Sequence, residues 1–199
     1  EECIRSFNET VPELIDFVGE DAIILAFGDH GEEFEHGHYD HERLYDECVH
    51  VPLYYKNIAE FADGPLRQVD LAPNLLNAID IPIPDRWEGT IETPVSTQPA
   101  YMLTPENDTG LLHVGIRKEN SKLIRSYDRQ NGNIVRNEYY NLEDDPNEIK
   151  NIYNSVDVRK MEEKLEQFLS DHQAALDIDL STNMETKIVE SRLEDLGYK

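Results

Sequence analysis

The chain has 199 residues, enough for one domain or one and a half with a hydrophobic core. Asp and Glu number 42 against 18 Lys and Arg, and this formal net charge of -24 argues against nucleic acid or an anionic membrane surface as a partner. No run of about 18 apolar residues is present, so the sequence predicts no membrane-spanning segment.

The acidic residues are spread along the whole chain instead of forming a tail. Such a surface is typical of halophilic proteins, because the Debye length falls to about 3 Å at 1 M salt and self-repulsion is then screened. Two cysteines, Cys3 and Cys48, are too few for a disulfide framework and match no zinc pattern. No signal peptide is visible, so the expected location is cytoplasmic, although the chain starts at Glu1 without a methionine.

The first part of the chain predicts an α/β unit. Apolar residues recur at helical spacing over residues 3–18, and Gly19 ends that pattern. The run from Asp21 to Phe27 is apolar without alternation, which predicts a strand buried on both faces. A second apolar run at residues 51–55 predicts another strand. Because two strands do not complete a doubly wound sheet, we expect the first domain to be partial.

Asp29 and His30 follow the first predicted strand directly, between Gly28 and Gly31. In open α/β sheets, ligands bind beyond the carboxyl ends of the strands. A carboxylate and an imidazole are common ligands of divalent cations, and flanking glycines allow a tight backbone turn. The sequence therefore predicts a metal site at Asp29 and His30. Three further histidines follow within six residues: His36, His38 and His41.

Two helices are predicted on either side of the second strand. Residues 39–49 have helical character, and residues 66–79 predict a helix with Asp70 as its N-cap and Pro73 in its first turn. Residues 1–93 are taken as one domain on this pattern.

Residues 94–199 have a different character. Short alternating runs at residues 113–118, 122–127 and 134–140 predict a small antiparallel sheet, with a hairpin turn at residues 119–121. Residues 156–172 predict an amphipathic helix that packs on this sheet through Met161, Leu165, Phe168 and Leu169. A last helix is predicted near residues 186–196.

Two phrases in the first half resemble the sulfatases of the alkaline-phosphatase superfamily. One is Phe27-Gly28-Asp29-His30-Gly31-Glu32-Glu33-Phe34-Glu35-His36-Gly37, and the other is Leu44-Tyr45-Asp46-Glu47-Cys48-Val49-His50-Val51-Pro52-Leu53. The resemblance extends to the helix at residues 69–76, to the hairpin at 115–124 and to a turn-rich phrase at 140–152. It implies a partial alkaline-phosphatase-like α/β domain followed by a small antiparallel sheet with a C-terminal packing helix.

The resemblance also implies a site and a reaction. In the family, the Asp-His pair holds a divalent cation, and a Lys or His downstream contacts the anionic group, which corresponds here to His41 as a catalytic contact. Calcium is the usual cation; the histidine ligand favours manganese or another transition ion as an alternative, and magnesium is a further one. The implied substrate is a small anionic ester. Glu32 and Glu33 are candidates for groups that orient the ligands, or for a solvated acidic turn. His36 and His38 are expected to be structural or exposed, and His50 and His113 to serve packing or the surface.

One part of the family pattern is absent from these 199 residues. The relatives' nucleophile lies in a Cys/Ser-x-Pro/Ala-x-Arg motif, which this chain lacks, and Cys3-Ile4-Arg5-Ser6 does not match its order. We therefore expect the carboxyl-terminal part of a sulfatase, inactive alone, with the missing amino-terminal half as its partner. The alternatives are a phosphodiesterase or phosphonate monoester hydrolase of the same superfamily, and a truncated non-catalytic product.

Overall fold

The computed structural model describes residues 2–37, 40–58, 61, 65–91 and 98–176. The described elements, in chain order, are α1 (Glu2–Val18), β1 (Ile24–Phe27), α2 (Asp46–Val49), β2 (Leu53–Lys56), α3 (Gln68–Ala78), β3 (Ala100–Glu106), β4 (Leu111–Lys118), β5 (Ser121–Asp128), β6 (Ile134–Asn141), a short 3-10 helix (Tyr153–Ser155) and α4 (Arg159–Leu176). The predicted mixed α/β class, with an antiparallel sheet and a packing helix near the carboxyl end, is confirmed.

The larger sheet is an antiparallel meander in the order β3-β4-β5-β6. Its central hairpin turns at Glu119 and Asn120, and Glu119 has the positive φ of 53° that such tight turns require. The sequence predicted three of the four strands. It missed β3, which carries Pro105 near its end; β3 is an edge strand, where proline is tolerated.

The two faces of this sheet bury two different clusters. On one face, Leu112, Val114, Ile116, Leu123 and Tyr127 pack against Leu165 and Leu169 of α4, with Met161 and Phe168 beside them. This contact confirms the predicted amphipathic helix. On the other face, Ile124 and Tyr140 pack against Leu44 and Tyr45, which come from the first half of the chain. The period-two alternation of strand side chains separates the two sets.

The expectation for the first strand is wrong in one respect. β1 pairs only with β2 in the described part of the chain, in an antiparallel two-stranded sheet that aligns Leu25 with Tyr55. A strand in such a sheet is not buried on both faces, and Phe27 is 48% exposed. An unbroken apolar run reports a hydrophobic strand, but its covering layers must be supplied by other elements.

The helix expected over residues 39–49 is also wrong: among residues 40–49, which the structure describes, only α2 at Asp46–Val49 is helical. The preceding residues bond elsewhere. The Asp40 carbonyl accepts from Glu33 N at 2.8 Å, the Glu42 carboxylate accepts from Asn107 N at 2.8 Å, and the Leu44 carbonyl accepts from Lys122 Nζ at 2.8 Å. The bonds to the Asp40 and Leu44 carbonyls take acceptors that a helix would use, and the bond to Glu42 fixes its side chain on the larger sheet.

Helix α3 is present, but its predicted cap is wrong. Its N-cap residue is Arg67, and Asp70 lies in the first turn. The Asp70 carboxylate instead accepts from Arg67 Nε and Nη2, each at 2.7 Å, and from Thr90 N at 2.9 Å. Pro73 is the sixth residue of the helix, where it leaves the Val69 carbonyl without its helical donor.

Gly89 packs against that carbonyl. A Cβ at this position would lie 2.0 Å from Val69 O, so only glycine allows this close approach. The helix predicted near residues 186–196 and the domain boundary at residue 93 lie outside the described residues. Within the described ranges, no helix combines the length and apolarity that crossing a membrane demands.

Candidate functional site

Asp29 and His30 lie in the turn that follows β1, and both are accessible. The Asp29 side chain is 72% exposed and that of His30 is 30% exposed, and Asp29 Oδ2 lies 3.8 Å from His30 Nε2. Asp29 Oδ1 accepts a hydrogen bond from His30 N at 3.0 Å. This and a second backbone hydrogen bond, with the nearby imidazole, hold the pKa of Asp29 below its usual value, so the carboxylate is ionised.

The ring of His30 is oriented for a ligand at Nε2. Its Nδ1 lies 3.0 Å from the Gly31 carbonyl oxygen. Because a carbonyl only accepts, Nδ1 donates this hydrogen bond, and Nε2 is the nitrogen that can turn its lone pair to a ligand. Metal-bound histidines commonly donate a hydrogen bond from the N–H of their other ring nitrogen in this way. Ligand bonds to divalent cations are about 2.0–2.6 Å long, so one ion can contact both Nε2 and the Asp29 carboxylate. The two residues therefore fit a cation.

His41 lies beside this pair. Its ring stacks on that of His30 with centroids 4.0 Å apart and an interplanar angle of 18°. Its Nδ1 is 3.3 Å from Asp40 Oδ1 and 3.7 Å from Glu32 Oε1. His30, Glu32 and His41 place one ligand atom each within 4.8 Å of one another. The structure thus brings together three residues that were predicted separately.

Two contacts fix the backbone of this turn. Gly31 N donates to the Cys48 carbonyl at 2.7 Å, and a Cβ on Gly31 would lie 2.0 Å from Glu47 O, so the turn lies directly on α2. From the start of α3, Gln68 Nε2 donates to the Gly28 and Asp29 carbonyls at 3.0 and 2.7 Å. Gln68 was not singled out from the sequence, because only the tertiary fold places it beside the turn.

Glu47 anchors the segment after Gly31. Its Oε2 accepts from Phe34 N at 2.9 Å and Glu35 N at 3.2 Å, and its Oε1 lies 2.5 Å from His36 Nδ1. Desolvation raises the pKa of Glu47, but these hydrogen bonds outweigh it and hold the pKa below its usual value. The two family-like phrases of the sequence therefore contact each other through Glu47.

Glu33 is buried and ion-paired, so it is not part of a solvated turn. Arg43 Nε lies 2.7 Å from Glu33 Oε2, Arg43 Nη2 contacts Glu33 Oε1, and Arg43 Nη2 also donates to the His36 carbonyl. Glu33, His36 and Glu47 form a second cluster of ligand-type atoms, but their oxygens and nitrogens already bond to protein groups. Glu32 is exposed and remains available to the site.

Of the other candidate residues, those that the structure describes lie outside this cluster. His36 is structural: it stacks on Tyr45 with centroids 3.7 Å apart, and its Nε2 lies 3.1 Å from the Glu148 carbonyl. His50 is an exposed histidine near Asp46. His38 lies outside the described residues. Cys3 belongs to α1, and Cys48 is a free, buried thiol.

His113 is in the core, between Ser126 and Glu106. Its Nδ1 lies 2.8 Å from Ser126 Oγ, and its Nε2 lies 3.2 Å from Glu106 Oε2. The residue types match those of a hydrolase triad, but Ser126 is fully buried and no substrate reaches it. Burial lowers the pKa of His113, although the Glu106 carboxylate opposes the shift. The three residues are a satisfied polar network of the core.

Comparison with known proteins identifies the family of this chain. The sequence profile of the family "N-sulphoglucosamine sulphohydrolase, C-terminal" matches residues 34–175, well over half of the chain. The chain belongs to this sulfatase family. His41 lies inside the matched range, whereas Asp29 and His30 precede it by a few residues.

Individual sulfatases support this membership. The N-acetylglucosamine-6-O-sulfatase of Bacteroides thetaiotaomicron is 27% identical over 194 residues, covering 85% of this chain and 34% of the relative. The solved structure of BT4656, in complex with its substrate D-glucosamine-2-N,6-O-disulfate, is 25% identical with a TM-score of 0.66, covering 88% of this chain and 40% of that one. BT1596, a 2-O GAG sulfatase, shares the fold at 20% identity with a TM-score of 0.51, covering 91% of this chain and 39% of that one. The chain thus spans between a third and two-fifths of the length of these sulfatases.

Proposed function

We propose that this chain is the carboxyl-terminal part of a metal-dependent sulfatase acting on a sulfated amino sugar. The match of the sulfatase family over residues 34–175 carries the proposal. The relative named for N-acetylglucosamine 6-O-sulfate and the structure bound to a glucosamine disulfate support the substrate class. Each relative named above is a sulfatase, which favours sulfate esters over the phosphodiester and phosphonate ester alternatives.

Asp29 and His30 are the proposed ligands of the cation. A bound divalent cation supplies positive charge that a sulfate ester needs in a protein of net charge -24. The ionised carboxylate of Asp29 contributes charge, and Nε2 of His30 contributes a neutral lone pair. His41 is proposed to contact the sulfate oxygens, and the stacked ring of His30 restricts its position. Calcium is the first candidate for the ion, with manganese and magnesium as alternatives.

The proposed net reaction consumes one water and releases one sulfate for each ester cleaved. Its nucleophile must come from outside these residues, because the chain contains no Cys/Ser-x-Pro/Ala-x-Arg motif. An amino-terminal portion bearing that motif is therefore the proposed partner, and the chain by itself is expected to show negligible turnover.

The test is to read the coding sequence upstream of Glu1 and to express the protein that the extended reading frame encodes. Sulfate release from N-acetylglucosamine 6-sulfate is then measured for the extended protein and for the 199-residue chain, with calcium, manganese or magnesium and with EDTA. We expect turnover only in the extended protein with a divalent cation. A phosphodiester and a phosphonate monoester in the same panel test the alternative substrates.

The variants Asp29→Asn and His30→Ala of the extended protein test the ligand assignment. Groups that merely orient a metal ligand cost 10–100-fold when removed, so loss of a ligand should reduce kcat/KM by more than about 100-fold. His172→Ala is the control, because His172 lies on α4, pairs with Glu88 and is outside the cluster. An upstream region without the motif, or equal activity of the three variants, would contradict the proposal.

A further inference from the structure

Lys122 of β5 is a fully buried cation whose side chain faces the candidate site's half of the chain. Its Nζ lies 2.8 Å from Leu44 O, 2.5 Å from Asp46 Oδ1 and 2.8 Å from Glu148 Oε1. Two of the ammonium's three donors hydrogen-bond to Leu44 O and Asp46 Oδ1, and the Glu148 carboxylate lies beside the charge as an ion-pair partner. Burying a charge is costly unless it is paired and hydrogen-bonded, so this arrangement specifies where Leu44 and Asp46 lie relative to the larger sheet.

Glu148 completes the cluster from the turn after β6. Its Oε2 accepts from the backbone N–H of Asp46, and its carbonyl faces Nε2 of His36 at 3.1 Å. The residue has φ of 53°, a conformation that costs a non-glycine residue energy and persists only when its surroundings determine it. The turn-rich phrase around Glu148 therefore contacts the segment that carries the candidate site, in addition to shaping its own turn.

Asp46 connects the larger sheet to the candidate site, because its neighbours in α2 bond to the turn after β1. Its second oxygen, Oδ2, lies 2.8 Å from Arg117 Nη1, so a second cation of the larger sheet holds it. The next residue, Glu47, accepts from the amides of Phe34 and Glu35, and the Cys48 carbonyl accepts from Gly31 N beside His30. An unbroken series of hydrogen bonds and ion pairs thus joins the larger sheet to the turn that carries Asp29 and His30.

We propose that Lys122 and Glu148 are positioning residues for the His30–Glu32–His41 cluster. Neither residue touches the cluster; both act through Asp46, which sets the position of α2 and of the segment 31–37 bound to it. The larger sheet then has a specific role in the site, although it contributes none of the proposed ligands. The metal-binding consequence rests on the proposed function, whereas the effect on segment 31–37 does not.

The variant Lys122→Met tests the proposal, with Glu148→Gln as a second variant that preserves side-chain shape if the first does not fold. Arg125→Met is a matched control: Arg125 is also buried on β5, but it faces the opposite way and pairs with Glu162 and Glu166 of α4. Both cation removals cost global stability, but only the first should loosen the site.

The first measurement is amide hydrogen exchange of the 199-residue chain. It is made without denaturant, at a pH where the wild-type chain is folded. We expect Lys122→Met and Glu148→Gln to raise exchange at Gly31, Phe34 and Glu35 by about tenfold or more relative to β4 amides. Arg125→Met should leave this ratio at its wild-type value. Unchanged exchange in Lys122→Met and Glu148→Gln, or an equal rise in Arg125→Met, would overturn the proposal.

The second measurement is a titration with Mn²⁺, followed by paramagnetic broadening of the His30 and His41 ring resonances. Orienting groups around a metal ligand are worth 10–100-fold in affinity, so Mn²⁺ binding to Lys122→Met should weaken by about that factor and binding to Arg125→Met should not. If wild-type chain shows no broadening at these rings, the proposed metal site fails, and the exchange ratio still decides the positioning role.

Discussion

Replacing Gly31 by alanine tests whether the site turn depends on direct backbone contact with α2. The new Cβ would lie 2.0 Å from Glu47 O, whereas carbon–oxygen contacts in proteins are about 3.3 Å or longer. The two segments must therefore separate by roughly 1.3 Å, using the same contact distance. That movement breaks the 2.7 Å hydrogen bond from Gly31 N to the Cys48 carbonyl.

A lost hydrogen bond costs about 1 kcal/mol, and up to about 3 kcal/mol where the donor or acceptor stays buried without a partner. We therefore expect the free energy of unfolding to fall by about 1–3 kcal/mol, which lowers the urea midpoint by about 0.5–1.5 M at an m value near 2 kcal/mol/M. The assay is urea denaturation followed by circular dichroism.

Gly28→Ala is the matched control, because a Cβ there meets the Val51 side chain at 3.1–3.2 Å and the His30 carbonyl at 3.4 Å, which needs a shift of only a few tenths of an ångström. The reasoning is refuted if Gly31→Ala is no more destabilising than Gly28→Ala. It is also refuted if the backbone amide of residue 31 is as protected from exchange in Gly31→Ala as in the wild type, since the two segments would then not have separated.

Four further predictions concern other buried groups of the protein and its surface charge. Arg43→Met leaves the buried Glu33 carboxylate unpaired and should cost about 3–5 kcal/mol in urea denaturation; Glu33→Gln combined with Arg43→Met should cost less, because no buried charge remains. Burial raises the pKa of Cys48 to about 11, so a thiol reagent at pH 8 should label it only in denaturant, as peptide mass spectrometry would report. Burial lowers the pKa of His113, so folded His113 stays neutral where the unfolded chain takes up a proton; stability should decline as pH falls below about 6.5, and His113→Gln should reduce that slope. If the acidic surface reflects adaptation to salt, the Tm should rise with KCl, and a flat or falling Tm would contradict that interpretation.

Local sequence patterns predicted much of the architecture. The alternation in residues 113–140 predicted three antiparallel strands, and helical spacing predicted α4 and the residues that face the sheet. Both signals report which side of an element is buried, and that property is written in consecutive residues. β3 was missed because its proline and mixed composition disguise an edge strand.

The same patterns misled where tertiary bonds compete with local ones. Residues 40–45 have helical character in sequence, but the Asp40 and Leu44 carbonyls accept from Glu33 and Lys122, so the helix is confined to α2. Asp70 is a residue type that favours the N-cap position, but its carboxylate accepts hydrogen bonds from Arg67 and Thr90 instead. In both places, hydrogen bonds to groups outside the predicted local pattern are formed in place of the helical or capping bonds that the sequence suggested.

The sequence by itself determined that Asp29 and His30 stand together in a glycine-flanked turn after an apolar strand, and that the chain resembles the sulfatases. Residue identity and spacing are sufficient for both conclusions. Only the tertiary structure decided that Glu32 and His41 join His30, that Gln68 clamps the turn, and that Lys122 and Glu148 are anchored to Asp46. These contacts join residues up to about a hundred positions apart, and no periodicity encodes such pairs, because they exist only once the two sheets and the segments between them have packed.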